Sequence, residues 1–290
     1  MDGRRLGEYT LTEVIGRGTM GEVWAGHDSS GAPVAVKSLY PQLARDRSVA
    51  EKFEGAARAL TSVSHPNVVP VRAVVRLDDE VGVVTDRIEG TDLRQVLSRK
   101  GVLEPRDIAL MGAGVADGLA GLHAAGFVHG DLKPENILLT RPAQAPMLVD
   151  FGLAPLTVRG RERVPATLRS DTLPYFAPEA LDKAEPAPPA DLYALGVVLY
   201  ECCIGVRPFD VRTVSAALKA ARNEVPVRPD GVPESLWEVI SALLAKTPAE
   251  RPGHAAEVAD RLRGIAPTLD GLPAAQRHVV PPSVGGAAAA

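Results

Sequence analysis

The sequence predicts an α+β protein of two unequal lobes, a small β-rich one over residues 1–88 and a larger helical one over 89–264. Three observations predict it. Short, valine-rich runs crowd the first 88 residues around a single helical stripe. From about residue 92 onward, apolar residues recur instead at helical spacing. Only two strand-like runs, 137–140 and 147–149, interrupt that second part. Strands and helices segregated in this way form an α+β arrangement with a natural cleft between the two parts.

The elements follow in order. Residues 9–16 read as a strand, a glycine-rich turn comes next, and 22–27 and 33–39 read as further strands. Residues 46–63 carry Val49, Phe53, Ala56, Ala57, Leu60 and Val63 at helical spacing, which predicts one amphipathic helix. The runs 68–77 and 81–88 flank Asp78-Asp79-Glu80 and predict a hairpin. Helical stripes occupy 106–125, 190–206, 212–222, 234–245 and 255–263. Residues 265–290 are rich in Pro, Gly and Ala and are expected to form a disordered tail or the start of a linker. No internal repeat is visible.

Composition narrows the function classes. With 32 Lys+Arg against 36 Asp+Glu, the net charge of −4 gives no electrostatic case for nucleic acid or an anionic membrane surface as partner. The two cysteines, Cys202 and Cys203, are adjacent, where an unstrained bridge is improbable and a zinc site lacks further ligands. A reducing, cytoplasmic setting is therefore expected. No signal-like apolar run opens the chain, and no stretch approaches the roughly 18 apolar residues of a membrane helix.

Gly16-Arg17-Gly18-Thr19-Met20-Gly21, followed by Val23, is a G-x-G-x-x-G-x-V run. Glycines let backbone amides approach phosphate oxygens closely. In dinucleotide-binding folds such a run leads into a helix, whereas here strand-like residues follow, which favours a phosphate-covering hairpin. Val34-Ala35-Val36-Lys37 then places a lysine in a strand. Farther on come His129-Gly130-Asp131-Leu132-Lys133-Pro134-Glu135-Asn136, Asp150-Phe151-Gly152 and Ala177-Pro178-Glu179.

In type, order and spacing these motifs resemble those of the protein kinases over residues 9–264, and most closely the bacterial, eukaryotic-like serine/threonine kinases. The resemblance implies a bilobal kinase fold that transfers the γ-phosphate of MgATP to Ser/Thr hydroxyls of protein substrates, itself included, with Mg²⁺ or Mn²⁺ as the ion. It implies Lys37 at the α/β-phosphates, Asn136 and Asp150 as metal ligands, Asp131 as acceptor of the hydroxyl proton, and Lys133 beside the γ-phosphate. Thr172 matches the threonine that braces Asp131 and Lys133. The glycine run, residues 16–21, would cover the phosphates, and Val23, Ala35 and Leu138 would sandwich the adenine. Thr85 falls at the gate of the pocket, Asp86 and Ile88 at the hinge, and Asp92 near the ribose. Asp191 resembles an anchor of the catalytic-loop backbone, and Glu179 with Arg251 an ion pair closing the activation segment. His27, His123 and His254 read as surface or packing residues. Relatives of this kind carry a membrane segment and sensor domain after the kinase, so a soluble form or a fragment is expected.

Two departures stand out. The glutamate that would pair with Lys37 is replaced by Ala56, and Glu54 and Glu51 lie roughly 160° and 140° around the helix from that position. The arginine expected before Asp131 is Gly130, so one anion contact to a phosphorylated activation segment is lost and activity is expected to depend little on phosphorylation within 153–171. A pseudokinase that binds ATP and regulates a partner is the alternative reading. A small-molecule phosphotransferase of the aminoglycoside type is a second one, opposed by Lys133, Thr172 and Ala177-Pro178-Glu179.

Overall fold

Valine-rich alternation in the first part builds an antiparallel six-stranded sheet. Its strands are β1 (Arg4–Leu6), β2 (Tyr9–Arg17), β3 (Gly21–His27), β4 (Pro33–Leu39), β5 (Val71–Leu77) and β6 (Glu80–Asp86), ordered β1-β2-β3-β4-β6-β5. The computed structural model describes residues 4–18, 20–151, 173–181, 187–209 and 214–279. Successive side chains in a strand face opposite ways. Val34, Val36 and Val84 accordingly pack with Leu6, Tyr9 and Leu11 on one face, while Ala35 and Lys37 face the other. On that second face lies α2 (Arg47–Leu60), preceded by a single turn, α1 (Pro41–Ala44). Asp46 caps α2 by accepting from the Ser48 and Val49 amides at 3.0 and 3.2 Å. Ala50, Phe53, Ala57 and Leu60 bury its inner stripe; burying a side chain the size of Phe53 contributes about 1.5–3 kcal/mol.

The second lobe opens with β7 (Gly90–Asp92) and α3 (Leu93–Lys100), continues into α4 (Pro105–Ala124), and returns through the hairpin β8 (Ile137–Thr140) and β9 (Pro146–Leu148). Beyond it lie α5 (Pro178–Leu181), α6 (Pro188–Ile204), α7 (Val214–Asn223), α8 (Glu234–Leu243) and α9 (Ala255–Ile265). Every residue of α6 from Asp191 to Ile204 is buried, so this helix forms the lobe's axis and α4 and α8 pack against it. Cys202 and Cys203 are free and buried on α6, and burial pushes their thiols up, Cys203 to about 12. The lobes are stitched where the turn after α2 meets β9. Leu148 N–H donates to Asn67 O at 2.8 Å, and Val69 N–H to Leu148 O at 3.0 Å.

The C-terminal boundary differs from the expectation. α9 passes into a 3₁₀ turn, Ala266–Leu269, with Ala266 and Leu269 buried. The chain then runs back across the lobe. Asp270 pairs with Arg106 at 3.3 Å, Ala275 packs beside Leu103, Ile108, Val232 and Leu236, and His278 N–H donates to Ile204 O at 2.8 Å. Residues 265–279 thus belong to the fold despite their Pro, Gly and Ala content, because small residues seat closely in a shallow apolar channel; 280–290 lie outside the described residues. No helix among the described residues is long and apolar enough to cross a membrane.

Candidate active site

The loop between α4 and β8 carries His129, Asp131, Lys133 and Asn136, and α6 holds it from below. Asp191, in the first turn of α6 and 2% exposed, accepts from the backbone amides of His129 at 2.7 Å and Gly130 at 2.9 Å. A third contact corrects the sequence reading of His123: its Nε2 lies 2.8 Å from Asp191 Oδ2, so His123 belongs to this anchor. No local pattern signals it, because α4 and α6 meet only in the fold. Gly130 has φ +74°, which glycine adopts without steric cost.

Above the anchor, Asn136 Nδ2 donates to Asp131 O at 2.7 Å and to Asp131 Oδ2 at 3.1 Å. Lys133 Nζ lies 3.3 Å from the same Oδ2. The Asp131 carboxylate is therefore oriented from two sides. His129 is fully buried, and burial holds its pKa below the ordinary histidine value; its Nδ1 accepts from the Asp131 amide at 3.3 Å. Its ring meets Phe151 edge-on with centroids 6.3 Å apart, which seats Phe151 in the core beside Asp150.

Across the cleft, Lys37 of β4 reaches Asp150 Oδ1 at 3.1 Å. Asp150 adopts φ +61°, a left-handed conformation that aspartate tolerates better than most side chains. Ala56 packs against the core, where it offers no charge. The neighbouring glutamates are engaged elsewhere. Glu54 binds Arg58 at 2.7 Å and Arg76 at 3.2 Å, which hold its pKa below the usual carboxylate range, and Glu51 binds Arg47 at 2.7 Å. Lys37 thus pairs with a cleft carboxylate and with no glutamate of α2.

On the nucleotide side, Gly16 and Gly18 sit at the tip of the β2–β3 hairpin, where Gly18 N–H bonds Gly21 O at 2.8 Å, and Arg17 pairs with Glu22 at 3.3 Å. Gly21 answers a packing demand, since a Cβ there would lie 1.9 Å from Ser38 O. The Met20 side chain is buried in the main core, so within the 16–21 turn it has its backbone to offer the cleft. Val23, Ala35 and Leu138 are half-buried while Val34, Val36, Ile137 and Leu139 beside them are buried, as expected of residues lining a cleft. Thr85 faces Ala35 in the β4–β6 register and its Oγ1 donates to Ala35 O at 3.4 Å. Arg72 takes the Asp86 carboxylate and the Asp86 N–H donates to Pro70 O at 3.4 Å, so both groups are engaged within the β-rich lobe. Ile88 packs on the core. Asp92 stands opposite Leu138 and caps α3, accepting from the Gln95 amide at 2.8 Å and from the Gln95 side chain. Thr19, Thr172, Gly152 and the activation-segment residues of 153–171 lie outside the described residues.

Two ionic clusters close the site. Arg251, its side chain fully buried, binds both oxygens of Glu179 at 2.6 and 2.8 Å and three carbonyls, of Pro189, Ala245 and Lys246. The second cluster escaped sequence reasoning. Arg94, in the first turn of α3, binds Glu135 Oε1 at 2.9 Å, Glu201 Oε1 at 2.6 Å and Tyr175 Oη at 2.6 Å, and Tyr175 donates to Glu201 Oε2 at 2.5 Å. Burial opposes the Arg94 charge, and the hydrogen bond donated to Glu201, the charge of Glu201, Tyr175 and the bond to Glu135 together outweigh it; burial and then Glu201 push the Tyr175 phenol well up. The four residues come from separate segments, so no spacing announces them.

The donor set suits magnesium. Asn136 spends its Nδ2 on Asp131, which leaves Oδ1 as its available ligand atom, and Asp150 supplies a carboxylate. Among the described residues no group of three or more His, Cys, Asp or Glu could hold a metal alone. Magnesium in general takes one or two protein oxygens and completes its shell from water and phosphates.

A β-rich lobe over a helical lobe, with lysine and carboxylates meeting across the cleft, defines a bilobal phosphoryl-transfer fold. The comparisons agree. A profile described as Protein kinase domain matches residues 9–261, and the chain belongs to that family. It is 40% identical over 280 residues to the serine/threonine-protein kinase PkaB of Streptomyces coelicolor, covering 93% of this chain and 66% of PkaB. It is 34% identical to PknH of Mycobacterium tuberculosis, covering 89% of this chain and 42% of PknH. Thus the chain spans two-thirds or less of the length of these relatives. The crystal structure of the Mycobacterium tuberculosis PknI kinase domain superposes with a TM-score of 0.69 at 26% identity, covering 91% of this chain and 98% of that one.

Proposed function

We propose that this chain is an active serine/threonine protein kinase that transfers the γ-phosphate of ATP to hydroxyls of protein substrates, with Mg²⁺ or Mn²⁺ as the ion. The observation that carries the reading is the 3.1 Å contact of Lys37 with Asp150, which keeps the lysine in the cleft although α2 supplies no glutamate. Lys37 holds the α/β-phosphates, and the amides of the 16–21 turn cover them. Asp131, oriented by Asn136 and Lys133, accepts the hydroxyl proton as the substrate oxygen bonds to the γ-phosphorus. The bond from that phosphorus to the β–γ bridging oxygen breaks, and ADP leaves. Lys133 balances charge gathering on the transferred group. The ion, held by Asn136 and Asp150, neutralises phosphate charge when bound.

Relatives named serine/threonine-protein kinases support a Ser/Thr protein as substrate, against a small metabolite. Free, buried cysteines support a reducing, cytoplasmic setting. Phosphate incorporation from labelled ATP with Mg²⁺, into the chain itself and a generic Ser/Thr protein, is the deciding experiment beside Asp131→Asn. Labelling lost in the variant supports the reading. ATP binding without labelling supports the pseudokinase reading, for which Ala56 is the motive.

A further inference from the structure

Arg94 stands where three chain segments meet. Its three guanidinium nitrogens divide among three residues: Nε binds Glu135, Nη1 binds Glu201 of α6, and Nη2 binds Tyr175, just ahead of Ala177-Pro178-Glu179, with a longer contact to Glu201 at 3.4 Å. Only Arg can do this, because its donors form a rigid planar fork. Glu201 is nearly buried, and Glu135 Oε2 is buried with no hydrogen-bond partner among the described residues. Removing Arg94 would take the guanidinium partner from both carboxylates and leave Glu201 the Tyr175 hydroxyl. Glu135 directly precedes Asn136, whose Nδ2 orients Asp131. Any shift of Glu135 passes along one peptide unit to the groups that hold the metal and the proton acceptor.

We propose that Arg94 is a positioning residue for phosphoryl transfer: through Glu135 it fixes Asn136 and Asp131, and through Tyr175 and Glu201 it locks the protein-substrate side of the cleft to the same point. This rests on the kinase reading above and adds a residue that no motif of the catalytic loop contains. Arg94 also lies two residues beyond Asp92, so the same short helix carries the residue expected near the ribose and the guanidinium that holds the transfer end.

The test compares the full chain with Arg94→Ala, Arg94→Lys and Tyr175→Phe. It reads the Mg²⁺ concentration that half-saturates binding of a fluorescent ATP analogue, the analogue's affinity at saturating Mg²⁺, and kcat on a Ser/Thr protein. In Arg94→Ala, half-saturating Mg²⁺ rises about threefold or more and kcat falls about tenfold or more, while affinity at saturating Mg²⁺ stays within about twofold. Guanidinium ion at about 20 mM restores part of the lost kcat, since it refills the vacated fork. Arg94→Lys stays impaired, because one ammonium cannot serve three divergent acceptors. Tyr175→Phe shifts the Mg²⁺ requirement in the same direction by less, and it decides the matter should Arg94→Ala not fold. Unchanged Mg²⁺ requirements in the Arg94 variants, or an Arg94→Lys enzyme equal to the wild type, overturn the proposal. A wild-type chain that binds the analogue without transferring phosphate sinks the kinase reading alone, since the Mg²⁺ half-saturation still judges Arg94.

Discussion

Replacing Asp191 by alanine removes three hydrogen bonds at one buried point. The carboxylate accepts from the His129 and Gly130 amides at 2.7 and 2.9 Å and contacts His123 Nε2 at 2.8 Å. A hydrogen bond to a charged acceptor contributes about 1.5–3 kcal/mol, and a buried donor left unpaired costs a similar amount. The two backbone amides alone set the loss at about 3–6 kcal/mol, a large part of the 5–15 kcal/mol that holds an ordinary domain together. For a chain of this size, with an unfolding entropy of about 0.6 kcal/mol/K, the melting temperature should fall by about 5–10 °C. Asp191→Asn is the finer probe. Its side chain keeps one acceptor oxygen but presents an NH₂ group to the second donor, so at least one donor meets a donor. Its melting temperature should fall less than that of the alanine variant, while kcat drops as the loop carrying Asp131 loses its seat. Differential scanning fluorimetry and initial-rate kinetics on the two variants check both numbers. An alanine variant melting within about 2 °C of the wild type with unchanged kcat would refute the reasoning, because the buried donors would then have found other partners.

Four further outcomes are expected. Arg251→Met strands the Glu179 carboxylate and three carbonyls, and should cost about 3–5 kcal/mol in chemical denaturation. Gly21→Ala forces a Cβ onto the Ser38 carbonyl and should destabilise by about 1–3 kcal/mol, seen as a lower melting temperature with weaker ATP affinity. Buried His129 has a depressed pKa, so the unfolded chain binds its proton first. The stability it contributes is present above the unfolded pKa near 6.5 and is lost as pH falls from there through the folded value; a melting series from about pH 8 to 5 shows this, and His129→Asn should flatten it. With Gly130 in place of an arginine, joint substitution of Thr157, Thr167 and Ser170 by alanine should leave kcat within about threefold of wild type, and abolished activity counts against that expectation.

The cleft lysine and the loop carrying Asp131 and Asn136 were legible in the sequence because each rests on short spacing. Period-two runs and a capped amphipathic stripe declare strands and helix locally, and the glycine, lysine and carboxylate motifs lie within segments of a few residues. The packing of Ala56 against the core was legible for the same reason, since a helix maps sequence to angle directly. Short elements were harder. β1, α1, β7 and α3 have three to eight residues, too few to establish a period, although Asp92 and Gly101 bracket α3 as a cap and a terminator.

What lay beyond the sequence were the pairings between distant segments that no motif carries, unlike Asp191 with the catalytic loop or Glu179 with Arg251. Glu54 turns to Arg58 and Arg76 because β5 happens to pass beside α2. His123 joins Asp191 because α4 crosses α6 at that level. Residues 265–279 pack because Ala275 finds an apolar channel that their composition cannot reveal. Glu135, Tyr175 and Glu201 are 41, 81 and 107 residues from Arg94 in chain order, yet each has an atom within 3 Å of its guanidinium. Backbone periodicity and motif spacing are properties of neighbouring residues and can be read from their order. The partner of a buried charge is a property of where two elements cross, and packing of the whole chain sets that crossing.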